Sequence, residues 1–142
     1  MKTRLKQTQL IAALTLSIAA GLASAQEMSP GLWELTAEMK MQGMAMPPNK
    51  FTHCYTAKDL AAGKQYGMDE KSKCTIANMK NVGGNISYDM TCAAEGSKMM
   101  GSVKGSMSAT AFNFDQKLRM IPDQGMGEML STIKGRRLGD CK

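Results

Sequence analysis

Histidine occurs once in 142 residues, tryptophan once, and aromatic residues make up only 5% of the chain. Each scarcity closes a route. With His53 alone, any Ser–His or Cys–His nucleophile pair must use that one imidazole. Its neighbour Cys54 is better suited to bond another cysteine than to serve as a free thiolate. No CxxC pair is present, although close ligand pairs are the usual mark of a four-thiolate zinc centre. No basic stripe interleaves with aromatic residues, so nucleic acid is not an expected partner. The carboxylates Asp59, Asp69, Glu70, Asp89, Asp115, Asp123, Glu128 and Asp140 are scattered along turns and polar faces, with no spacing that pairs two of them. The chain is not expected to be an enzyme, and no cofactor is expected.

Long apolar runs are missing after residue 22, and the one before it is short. Lys2, Arg4 and Lys6 form a basic start, Leu10 to Leu22 carries no charge, and Ala23-Ser24-Ala25 is a small-x-small site. That is the pattern of a secretory signal peptide over residues 1–25, cleaved before Gln26. The apolar run falls short of the roughly 20 residues that span a membrane, and nothing later replaces it. The expectation is a periplasmic protein with no transmembrane segment after cleavage. Loss of Lys2, Arg4 and Lys6 lowers the formal charge from +6 to +3, so the working protein is only mildly basic. Residues 26–142 suit a single disulfide-bonded β domain with a modest core.

Cysteine is present in an even number, all in the mature part: Cys54, Cys74, Cys92 and Cys141. In a small exported domain that implies two disulfides. Three pairings are open. Cys54–Cys74, closing the helical connection, with Cys92–Cys141, pinning the C-terminus, is the favoured one. A hairpin turning at Gly83 would instead set Cys74 opposite Cys92.

Periodicity of two dominates the rest. Trp33, Leu35, Ala37, Met39 and Met41 share one face of a strand, opposite Glu34, Thr36, Glu38 and Lys40. Gln42-Gly43 breaks that strand, Pro47-Pro48 keeps the next stretch out of a sheet interior, and Lys50 to Tyr55 reads as a short strand. Thr56 and Asp59 form a capping box before a short helix near residues 56–62, with a polar loop expected over Lys64 to Lys73. Cys74 to Val82, Ile86 to Cys92, Met99 to Met107, Phe112 to Met120 and Met129 to Leu138 then read as strands separated by turns such as Gly83-Gly84-Asn85. The fold class is mainly β: an antiparallel meander of six or seven strands, curled into a bent sheet or small open barrel to cover its apolar face.

Four stretches in this order look familiar. They are Pro30-Gly31-Leu32-Trp33-Glu34, the Met-Gly-Met-x-Met-Pro-Pro-like run after it, Cys54 followed by the Thr-x-x-Asp-Leu helix, and the ending Gly135-Arg136-Arg137-Leu138-Gly139-Asp140-Cys141. Together they resemble the bacterial exported family called domain of unknown function 3617, over nearly all of residues 26–142. The resemblance implies a periplasmic, disulfide-bonded β domain and assigns no activity and no site residues.

Methionine is the abundant oddity: fourteen of the fifteen follow Met1, and Met39, Met41, Met44 and Met46 fall within eight residues. Two uses compete. As adaptable apolar surface, Trp33, Met39, Met41, Met44 and Met46 would contact a small apolar ligand or an envelope protein, which makes the chain a non-enzymatic binding module. As soft thioether donors, Met39, Met41, Met44 and Met46, with His53 as an added nitrogen, would bind or buffer Cu(I) or Ag(I). A third use is sacrificial oxidation of Met44 and Met46. The basic end, Lys134, Arg136 and Arg137, reads as a solvated strand face ahead of an anion-binding one.

Overall fold

Alternation turns into sheet along almost the whole chain. The computed structural model describes residues 27–68 and 71–142; the expected signal peptide lies outside them, as do Asp69 and Glu70. The strands are β1 (Gly31–Met41), β2 (Met44–Ala45), β3 (Asn49–Tyr55), β4 (Cys74–Val82), β5 (Asn85–Ala94), β6 (Ser97–Met107), β7 (Ala111–Ile121) and β8 (Met129–Gly139). One short helix, α1 (Ala57–Ala61), and a 3₁₀ turn at Lys64–Tyr66 lie between β3 and β4. Among the described residues no helix is long and apolar enough to cross a membrane.

All strands join one antiparallel sheet in the order β2-β1-β8-β7-β6-β5-β4, with β3 beside β2 on the outer side of β1. β4 to β8 form the expected meander: turns of two or three residues join β4 through β7, and the loop of residues 122–128 returns the chain to β8. The ends of the described chain then meet: β1 pairs with β8 from Leu32↔Gly139 to Met41↔Met129. The sheet does not close, since β4 and β3 remain edges.

One face of the sheet carries the core. Trp33 and Leu35, Ile86 and Tyr88, Val103 and Met107, Phe112, Phe114 and Leu118, and Met129 are all buried on it. Trp33 is fully buried; its indole N–H donates to the Ser29 carbonyl at 3.1 Å and its ring lies 5.6 Å from Phe112. Each such large side chain contributes about 1.5–3 kcal/mol by leaving water. Room for the big β7 residues comes from their opposite partners. Phe112 faces Gly135, Phe114 faces Gly105 and Leu118 faces Gly101, and a Cβ at any of the three glycines would collide with that side chain. Large residue and glycine thus alternate across three strands.

The other face is a lattice of opposite charges. Glu34 meets Lys50 at 3.3 Å and Arg136 at 3.0 Å, and Lys134 meets Glu38 at 3.5 Å. The Arg136 and Lys50 partners hold the Glu34 carboxyl below its ordinary value. Lys134 and Arg136 thus sit on a polar strand face already paired with acids, while Arg137 turns away to Asp140 and to the Pro30 carbonyl.

The disulfides correct the favoured pairing. They are Cys54–Cys141 and Cys74–Cys92. Leu32 of β1 lies between Cys54 of β3 and Gly139 of β8; the two residues after Gly139 carry the chain past β1, so that the Cα atoms of Cys54 and Cys141 are 5.7 Å apart and the first bridge ties the edge strand to the C-terminal end. The second links directly opposed residues of β4 and β5. Near the Gly83-Gly84 turn the pairing runs Val82↔Asn85 and Lys80↔Ser87, a register that would set Cys74 opposite Ala93. A bulge between Ala77 and Lys80, with Asn78 at φ 53°, shifts it by one and brings Cys74 opposite Cys92. By the chain-entropy relation the 18-residue loop is worth about 3 kcal/mol and the 87-residue loop about 4.6 kcal/mol.

Candidate functional site

A helix of five residues has little stability of its own, so α1 must be held at its ends. The capping box does this at the start. Asp59 N–H donates to Thr56 Oγ1 at 3.1 Å, and Thr56 N–H donates to Asp59 Oδ2 at 3.0 Å. Lys64 forms an ion pair with the same carboxylate, and together Lys64 and Thr56 hold Asp59 far below its ordinary 3.8. Gly63 and Gly67 then take left-handed conformations (φ 75° and 83°) on either side of the 3₁₀ turn, folding the chain back over the sheet.

The expected polar loop over Lys64 to Lys73 is in part a lid. Tyr66 reaches down from it, its ring 5.6 Å from Tyr88 and 6.5 Å from Phe114, and the Tyr88 hydroxyl donates to the Tyr66 carbonyl at 3.4 Å. Burial pushes both phenols above their ordinary value. The aromatic at its centre was visible in the sequence, but the polar residues around it masked its role.

The lid does not seal. Between it, the lead-in residues 27–30, β4 and the end of β6 lies a cleft of about 600 Å³. Met28, Leu60, Ala61, Tyr66, Met68, Ile76, Met79 and Met107 form its apolar wall, with Glu27, Gln65 and Asn81 as polar groups. That size suits a small organic ligand. Gln65 Oε1 is buried with no hydrogen-bond partner among the described residues, which leaves an acceptor unsatisfied beside the cleft. The lining residues come from five separate stretches and share no motif. The one local signal was the capping box, which announces the lid without saying what it covers.

The methionine turn is elsewhere. Gln42 and Gly43 both have positive φ, 50° and 79°, and form the two-residue type I′ loop of a hairpin between β1 and β2. Met41 lies opposite Met44, and the Met46 N–H donates to the Met39 carbonyl at 2.8 Å, which sets those two opposite each other. Directly opposed residues of an antiparallel pair share a face, so all four thioethers project from one side. Exposure is 36% at Met39, 69% at Met44 and 49% at Met46; Met41 is half-buried against the core.

The residues proposed from the sequence therefore separate into three places. Trp33 is a core residue with no surface to offer a ligand. Met39, Met41, Met44 and Met46 come together. His53 does not join them: it pairs opposite Trp33, six residues or about 20 Å along β1 from Met39, and its ring packs on Tyr55 at 4.4 Å. Among the described residues no group of three or more His, Cys, Asp and Glu is placed to hold a metal ion. The carboxylates have local duties: Asp59 caps, Asp89 accepts from Asn78, Asp115 from Thr132, and Asp123 closes the turn before Gly125.

The sequence model of the family described as "Protein of unknown function (DUF3617)" matches residues 28–141. No curated protein matches the chain, and no solved structure does.

Proposed function

The chain belongs to the DUF3617 family, a membership that brings no activity with it, and from that premise we propose that it is a non-enzymatic binding module for a small apolar ligand. The cleft beneath α1 and the 3₁₀ turn carries this reading. Its methionines suit a binder rather than a catalyst, because an unbranched thioether adapts to an irregular apolar shape. The ligand is a small apolar body that fits the methionine-rich wall. The site lies at the lid, away from Trp33 and the methionine turn. Export to the periplasm is part of the same reading, supported by the sequence pattern of residues 1–25 and by two disulfides, which persist in an oxidising compartment.

The test uses the neutral fluorophore N-phenyl-1-naphthylamine and the variant Ala61→Trp. Ala61 is exposed and lines the cleft. The wild-type protein should enhance the fluorescence saturably, and Ala61→Trp should weaken binding at least about tenfold with an unchanged circular dichroism spectrum. Equal binding by both proteins, or none by either, refutes the cleft.

A further inference from the structure

The four methionines of the β1–β2 hairpin have an arrangement that apolar packing does not require. Core methionines such as Met28 and Met107 are almost fully buried, at 5% and 3% exposure, whereas Met44 and Met46 stand in water. Their backbone is nonetheless firmly set. The type I′ loop fixes the register, Pro47-Pro48 follows Met46 directly, and Gln42 Nε2 donates to the Gly125 carbonyl at 2.6 Å, which ties the tip to the β7–β8 connection.

We propose that Met39, Met41, Met44 and Met46 form a binding site for one soft monovalent cation, Cu(I) or Ag(I), with thioether sulfur as the sole protein donor. Opposed residues have Cβ atoms about 5 Å apart, and next-but-one residues along a strand lie about 7 Å apart. Three rotatable bonds let each sulfur close that distance. Thioethers are neutral and soft, so they match Cu(I) and Ag(I) and discriminate against hard divalent ions that need carboxylate or water oxygen. Lys40 and Ala45 pair opposite each other at the next register position and so project from the other face, which keeps the Lys40 ammonium away from the cation. The site is independent of the cleft: none of its four residues lines that cavity.

Silver is the better probe, because it needs no reductant and so leaves both disulfides intact. Protein with ¹³C-labelled methionine methyl groups is titrated with silver nitrate in chloride-free buffer. The methyl signals of Met39, Met41, Met44 and Met46 should shift together and saturate at one equivalent, while those of Met28 and Met107 stay. Met44→Ser with Met46→Ser alters only exposed side chains. It should keep the circular dichroism spectrum and lose at least about tenfold in affinity, and His53→Ala should change nothing. The proposal fails if silver binds more weakly than millimolar, if the double serine variant binds as tightly, if the shifts fall on other methionines, or if His53→Ala abolishes binding. Loss of fluorophore binding by Ala61→Trp with silver binding retained would separate the two sites; failure of either leaves the other standing.

Discussion

Methionine has opposite fates at the two ends of one sheet face. Under the lid, Met28 and Met107 are packed against the aromatic core, and the lid closes over them imperfectly enough to leave a cleft. At the hairpin tip, Met44 and Met46 lie on the short outer strand beside β1 and the residue after it, where their side chains stand in solvent. The side chain is the same. What differs is whether a second layer lies over the face. A layer converts a thioether into filler; its absence leaves a flexible soft donor.

The sharpest way to break this contrast is to truncate one methionine at each end. Met107→Ala should cost about 2–5 kcal/mol in urea unfolding, as for other buried large-to-small changes. Met44→Ala should stay within about 0.5 kcal/mol. Comparable losses would mean that the hairpin face is covered in solution. A smaller effect is expected at the lid. Thr56→Ala removes the cap of α1 and should cost about 1 kcal/mol, with weaker fluorophore binding and unchanged silver binding.

The smallest effect is a pH dependence confined to the lid end. The Asp59 carboxyl is held down by Lys64 first and by Thr56 next. A depressed folded pKa contributes stability that is complete above the ordinary 3.8 and is lost as pH falls through the lower folded value. As the pH is lowered, fluorophore release should therefore begin only below that ordinary value, and Asp59→Asn should remove this step. Release centred above pH 5 in the wild-type protein would show that another group controls the lid.

How much of this was legible in the sequence follows the range of each interaction. The strand from Leu32 to Met41, the capping box at Thr56 and Asp59, and the turns at Gly43 and Gly83 rest on neighbours a few residues apart, and they formed as expected. So did the antiparallel meander, because short turns leave β4 to β7 no other arrangement. Trp33, read as a candidate ligand contact, shared its strand face with Met39. Nothing in that alternation tells where along the strand the second layer stops. His53 failed to reach the methionines for a similar reason: register places it opposite Trp33, and register across two strands joined through β2 is set by the whole hairpin.

The cysteines give the clearest division. Symmetry about Gly83 hinted at Cys74 opposite Cys92, yet a two-residue turn alone would miss by one position. The bulge at Asn78 supplies the missing step. Cys54–Cys141 needed more still, since β1 separates β3 from β8 and its partners meet only where the chain beyond Gly139 passes β1. The sequence by itself determined strands, turns, cap and the even cysteine count, because these depend on side-chain alternation and local backbone preference. Only the tertiary structure decided which cysteines bond, which methionines are covered and where a cleft opens, because those depend on strands that are neighbours in space while far apart along the chain.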